Sequence, residues 1–240
     1  MTKNSSISGR LNHSTIQPIN QSTTQRKPMP TRRQFIRWLT AAAGLTLAGW
    51  TRVRTALAEI AKKILPPGTD PGSLFHENPE YLDTRNLKVM PVNRFGTMGD
   101  TDQQIDPDTW RLEVDGKVAR PLSLTLEKVR GLPAVERNVL LVCPGFFSNH
   151  GTWQGVSLAA VLKEAGVLAE ADRLRIHGKS PFRDKKEVFT REEAETDTVF
   201  LAYAVNGRPL PVKHGFPLRV VAEGHWGAEW IKYVYRVEVK

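Results

Sequence analysis

From Trp110 onward the hydrophobic and polar positions fall into short runs separated by Gly, Pro, Asn and Asp, and each run predicts one element. Trp110-Arg111-Leu112-Glu113-Val114 alternates and ends at Asp115-Gly116, which predicts a strand and a tight turn. Ser123 to Arg130 predicts a short helix closed by Gly131 and Pro133. The apolar run Val139 to Val142 predicts a strand that delivers Cys143, the single cysteine of the chain, into a loop of Pro, Gly, Ser, Asn and His that closes at Trp153, Gly155 and Val156. Ser157 then caps a helix to Ala165, with Leu158, Val161 and Leu162 on one face and Gly166 as its stop. Asp172 to His177 predicts a strand running into Gly178-Lys179-Ser180. Val199 to Val205 is an apolar run closed by Asn206-Gly207, a hairpin signal. Pro217 to Ala222 is a further run, and Ile231 to Val239 alternates with Ile231, Tyr233, Tyr235, Val237 and Val239 on one face. Mixed strands, a few short helices and no regular βα repeat predict an α+β domain.

Upstream the pattern changes. Residues 60–80 are rich in Pro and Gly and predict an extended lead-in. Residues 1–58 carry nine basic and no acidic residues, so that 25 basic and 25 acidic residues remain from Glu59 onward. The net charge of +9 therefore belongs to the front of the chain, and the neutral body argues against a nucleic-acid partner. Thr31-Arg32-Arg33-Gln34-Phe35-Ile36-Arg37 is a twin-arginine pattern, and the apolar stretch from Trp38 to Trp50 is shorter than the ~20 residues of a spanning helix. Ala56-Leu57-Ala58 offers a cleavage site. The expected organisation is a signal at 1–58, read by the Tat translocase and cleaved or retained as an anchor, a lead-in at 59–92, and a domain at 93–240. Export of a folded chain to the periplasm suits a protein loaded with a cofactor beforehand.

A strand ending in one thiol beside a polar, glycine-containing loop suits a soft metal ligand, because thiolate sulfur binds soft or redox-active metals. The alternative is an inert buried cysteine. His150 and His225 are candidate acids or ordinary surface histidines. No P-loop, GxGxxG, HExxH or paired-cysteine zinc pattern is present. A thiol hydrolase using Cys143 with His150 or His214 remains open on composition.

With ArgAsnValLeuLeuValCys at 137–143 and TrpGlnGlyValSerLeu at 153–158 in place, the chain resembles the sulfite oxidase-type molybdopterin oxidoreductases. Within them it is most similar to the compact bacterial branch of periplasmic protein-methionine-sulfoxide reductase catalytic subunits. The resemblance runs from Asn93 to Lys240 and puts Cys143 on the molybdenum-ligating cysteine. It implies a molybdenum-molybdopterin cofactor contacted by Asn93, Gly96 and Thr97, with the last two acting through backbone. It also implies contacts from Gly178, from His214 and Arg219 in His214-Gly215-Phe216-Pro217-Leu218-Arg219, and from Trp230-Ile231-Lys232. In that reading Arg219 and Lys232 neutralise the phosphate and His214 hydrogen-bonds the pterin.

The resemblance further implies oxygen-atom transfer. Sulfite oxidases place an arginine just after the metal cysteine, whereas Pro144 to His150 contains none and offers Phe146 and Phe147. That favours a small-molecule or protein S-oxide such as methionine sulfoxide, with sulfite oxidation as the alternative. A cofactor-free exported binding protein is a further alternative. A monomer is expected, because the dimerisation domain of the larger sulfite oxidases has no counterpart. With no CxxCH motif, electrons would come from a separate partner, a haem-containing membrane subunit or a cytochrome.

Overall fold

The runs become twelve strands and three short α-helices in a computed structural model that describes residues 62–240. The lead-in contributes β1 (Lys63–Ile64) and β2 (Leu82–Asp83), which pair in parallel. There follow β3 (Arg111–Gly116), β4 (Leu122–Thr125), α1 (Leu126–Gly131), β5 (Ala134–Cys143), β6 (Phe147–Val156) and α2 (Leu158–Ala165). The last third holds β7 (Arg173–Gly178), β8 (Lys185–Thr190), α3 (Arg191–Glu195), β9 (Val199–Val205), β10 (Arg208–Pro209), β11 (Arg219–Ala222) and β12 (Val234–Val239). The predicted signal and its cleavage site lie outside the described residues.

Two five-stranded sheets carry the architecture, one ordered β4-β3-β12-β7-β8 and the other β10-β9-β6-β5 with β11 also paired to β9. Both contribute to one hydrophobic core: Leu112, Val114, Ile176 and Val237 from the first sheet meet Val139, Trp153, Leu201 and Val220 from the second. This is the predicted α+β arrangement, mixed sheets with few helices.

Strand β5 explains why its apolar run is continuous. Successive side chains point to opposite faces, and both faces are covered. Val139 and Leu141 enter the main core. Leu140 and Val142 pack on Leu65, Leu74, Leu82 and Leu87 of the lead-in. Residues 62–92 are therefore a cover folded onto β5, with short 3₁₀ turns at Pro71–Ser73, Pro79–Tyr81 and Val92–Arg94.

Helix α2 matches its sequence signals. The Ser157 hydroxyl accepts from the Ala160 amide, and Gly166 sits at φ +66° with its amide bonded to the Leu162 and Lys163 carbonyls. Leu158, Val161, Leu162 and Ala165 are its buried face, and each large aliphatic side chain contributes roughly 1.5–3 kcal/mol on burial. At Asn206 and Gly207 both φ angles are positive, 51° and 72°, as a two-residue hairpin turn requires.

Three expectations need correction, and two elements were not predicted. Ser123 lies in β4, and the helix starts at Leu126 with Thr125 as its cap. The predicted loop after Cys143 is only the turn Pro144-Gly145-Phe146, and Ser148, Asn149 and His150 continue into the ten-residue strand β6. These polar residues are buried because each binds backbone elsewhere: Ser148 Oγ donates to Pro71 O at 2.5 Å, Asn149 clasps Gly96, and His150 Nδ1 meets Lys88 O at 3.2 Å. β8 and α3 carry too many charges for an apolar pattern to reveal them. The alternation of Ile231 to Val239 breaks because Tyr233 has φ +56° and the register with β7 shifts between Val234 and Arg236. Val234 is buried in place of Tyr235.

Gly155 fixes how closely β6 approaches β9. A Cβ there would lie 2.1 Å from Leu201 O and 2.5 Å from Ala202 Cα, both backbone atoms that cannot rotate away. Gly155→Ala is expected to cost about 1–3 kcal/mol. Chemical denaturation of the purified chain checks it, and an unchanged midpoint would contradict it.

Candidate active site

Cys143 is the last residue of β5, opposite Phe147, the first of β6. The turn between them is tied by the Phe146 amide to Cys143 O at 3.1 Å and by the Gly145 amide to Phe75 O at 2.9 Å. The thiol is half-buried, and burial pushes its pKa up. It lines a cavity of about 200 Å³. Leu141, Pro144, Phe147 and Ala228 are apolar residues of the same lining. Gly227 is held against the strand by its amide on Val142 O at 2.7 Å.

Four cations, Lys179, Lys185, Arg219 and Lys232, also line the cavity, with Asp100 the one acidic residue of that lining. Arg219, the first residue of β11, is 4% exposed. Its guanidinium donates to the carbonyls of His214 at 3.1 Å, Trp230 at 3.3 Å and Val220 at 3.4 Å. It sits 5.1 Å from the Trp153 ring and 5.5 Å from the Trp230 ring. No carboxylate pairs with it among the described residues, and burial pushes its pKa down to about 9. Lys232 donates to Lys213 O at 3.1 Å, to Thr97 Oγ1 at 3.4 Å and to Asp100 O. Burial, then Arg219, lowers its pKa to about 8. His214 ends a 3₁₀ turn, and burial followed by the charge of Arg219 lowers its pKa to about 4. Among the described residues its buried Nε2 has no partner, nor has the buried Trp230 Nε1.

The predicted contact residues are placed unequally. Gly96, Thr97, Cys143, His214, Arg219, Trp230, Ile231 and Lys232 line this one cavity. Gly178 does not, although Lys179 beside it does. A Cβ at Gly178 would lie 2.2 Å from Ile231 Cγ2 and 2.3 Å from Lys232 O, so its bare backbone lets β7 seat the 231–232 segment. Asn93 is exposed on the Val92–Arg94 turn and lies outside the lining. The Gly96 backbone is already engaged, its N–H donating to Asn149 Oδ1 and its carbonyl accepting from Asn149 Nδ2, both at 2.9 Å. Asn149 was not singled out from sequence. Only its place two residues past Phe147 on an inward-facing strand could have signalled it, and the loop reading concealed that strand.

Residues 98–240 match the family model of the oxidoreductase molybdopterin binding domain. The chain belongs to that family. It is 34% identical over 124 residues to the uncharacterized oxidoreductase YuiH of Bacillus subtilis, covering 51% of this chain and 61% of that one. It is 33% identical over 166 residues to human mitochondrial sulfite oxidase, covering 57% of this chain and 30% of the relative. With the nitrate reductase [NAD(P)H] of Hordeum vulgare it shares 34% over 164 residues, 56% and 18% of the two chains. Among solved structures it is similar to the sulfane dehydrogenase SoxCD from Paracoccus pantotrophus, with a TM-score of 0.54 and 26% identity over 57% of this chain and 39% of that one. The chain thus spans under two thirds of each of these relatives.

The cavity of this molybdopterin oxidoreductase domain fits its cofactor. A pterin with a phosphate needs fixed cations and hydrogen-bonding groups. Arg219 and Lys232 are cations with only carbonyl and hydroxyl partners, and His214 Nε2 and Trp230 Nε1 are buried polar atoms left free, which proteins rarely tolerate without a use.

Because His214 has a folded pKa of about 4 against an ordinary 6.5, the unfolded chain takes up its proton first as pH falls. Stability before cofactor loading is expected to drop between pH 6.5 and about 4, by up to about 3 kcal/mol. His214→Gln should flatten that segment of a denaturation-against-pH curve. An identical slope in the variant would contradict the assignment.

Proposed function

We propose that the protein is an exported molybdenum-molybdopterin oxidoreductase that transfers an oxygen atom, reducing S-oxides such as methionine sulfoxide in small molecules or proteins. Cys143 would hold the metal, while Arg219 and Lys232 would hold the phosphate and His214 and Trp230 the pterin. When bound, the cofactor supplies two-electron oxygen-atom transfer. The chain's share is placement: β5 and the β5–β6 turn fix the thiol, and the buried cations fix the anionic end. Thr97 and Asp100, held through the Asn149 clasp on Gly96, fix Lys232.

The observation that carries the substrate preference is the rim of Cys143. Pro144, Phe147 and Ala228 line the cavity together with Cys143, Phe146 stands 69% exposed in the turn that follows it, and the turn contributes no arginine. A neutral sulfoxide with an apolar substituent suits such a rim, whereas a dianion calls for a cation there. Sulfite oxidation is the second reading, favoured by Lys179 and Lys185, which also line the cavity and would draw an anion. The twin-arginine segment supports export through the Tat translocase to the periplasm. A haem-containing membrane subunit or cytochrome is the proposed electron partner of a monomeric enzyme.

Wild-type protein from a molybdopterin-competent host is expected to reduce methionine sulfoxide or dimethyl sulfoxide with reduced benzyl viologen. Cys143→Ala should lower that turnover by about 10³-fold or more while its pterin content, read by fluorescence after oxidative release, stays equimolar. Full activity in the variant would contradict the metal-ligand role. Sulfite-dependent ferricyanide reduction without S-oxide turnover would replace the first reading by the second.

A further inference from the structure

The hairpin between β7 and β8 reads Lys179-Ser180-Pro181-Phe182-Arg183-Asp184-Lys185-Lys186, four cations and one carboxylate in a body whose other residues carry a small acidic excess. Its base is braced. Asp184 accepts from Tyr235 Oη at 2.6 Å and from the Ser180 amide at 3.3 Å, with Lys179 Nζ 3.6 Å away. The Lys179 amide donates to Tyr233 O at 2.9 Å, and Gln103 Nε2 donates to Lys179 O at 2.9 Å. The one carboxylate is thus turned inward and the cations Arg183, Lys185 and Lys186 are exposed. At the tip Phe182 is 96% exposed.

A phenylalanine held in water on a braced hairpin forgoes roughly 1.5–3 kcal/mol of burial. Aromatic and arginine side chains together are also the types that anchor protein interfaces. The position gives the tip its meaning. Lys179 and Lys185 at its base line the cavity that contains Cys143, so a protein seated on the tip lies beside the redox site. Resting on the oxygen-atom transfer reading, each turnover consumes two electrons and two protons, R₂SO + 2e⁻ + 2H⁺ → R₂S + H₂O. Resting also on the separate electron partner proposed above, those electrons arrive from another molecule.

We infer that the β7–β8 tip is the docking surface for an acidic, one-electron haem protein. Its surface carboxylates meet Arg183, Lys185 and Lys186, and Phe182 is the apolar anchor. Two encounters, each taking one ferrous haem to ferric, supply one turnover. Opposite charge of this kind raises association rates and makes them fall with salt.

The test uses the loaded enzyme, methionine sulfoxide, and two reduced probes: the acidic soluble haem domain of cytochrome b5 and the basic horse cytochrome c. Stopped-flow oxidation of the b5 domain is expected to exceed that of cytochrome c and to slow with rising ionic strength. It should fall about tenfold or more in the double variant Arg183→Glu, Lys186→Glu and several-fold in Phe182→Ala, with benzyl viologen turnover unchanged in both variants. Variants that react with the b5 domain like wild type, a salt-independent rate, or a preference for cytochrome c would overturn the inference. So would a KM shift for sulfoxide-bearing protein alone, or tip-dependent binding to phosphatidylglycerol vesicles without reaction with the b5 domain. If wild type fails even with viologen, the reaction reading fails instead. Calorimetric titration of the b5 domain into wild type and variants then decides the docking surface separately, equal affinities overturning it.

Discussion

The guanidinium of Arg219 is buried, and among the described residues no carboxylate pairs with it. Removing an ion from water costs several kcal/mol even after relaxation, and three backbone carbonyls with the faces of Trp153 and Trp230 recover only part of it. An interior that keeps such a charge beside His214 Nε2 and Trp230 Nε1, both without partners among the described residues, suits an anion with acceptors of its own. The surrounding elements serve that arrangement: β6 brings Trp153, β11 begins at Arg219, and the segment from Trp230 to Lys232 closes the other side.

The same cavity joins two chemistries. It takes the Cys143 thiol at the end of β5 together with apolar Pro144, Phe147 and Ala228, and it takes Lys232, which is tethered to Thr97 and Asp100. Both parts depend on the β5–β6 hairpin. Its buried faces fix the depth of Cys143, and Asn149, one turn of the pleat beyond Phe147, grips Gly96 and so sets the wall to which Lys232 is fastened. The chain belongs to the molybdopterin-binding family, and under the proposed function the thiol would take the metal while Arg219 and Lys232 would take the phosphate.

Much of this was legible in the chain. The continuous apolar run into Cys143, the Ser157 and Gly166 caps and the Asn206-Gly207 turn are local signals, and local chemistry satisfies them in the fold. The order of the segments at 143, 214–219 and 230–232 indicated the residues that meet in the cavity. What was hidden depends on tertiary partners. Ser148, Asn149 and His150 look like loop residues until the lead-in and Gly96 supply their hydrogen bonds. The alternation at Ile231 to Val239 cannot announce the positive φ of Tyr233. Trp153 was legible as the closure of a motif but not as a face for Arg219, because that contact joins strands 66 positions apart in sequence.

The most direct measurement is the molybdenum and pterin content of Arg219→Met beside wild type, both purified from a host that makes the cofactor, with a thermal melt of each. Near-equimolar cofactor in wild type and about a tenfold or greater loss in a variant that still melts cooperatively is the result expected if the buried charge exists to hold the anionic end of the cofactor. Full cofactor in the variant would contradict that role.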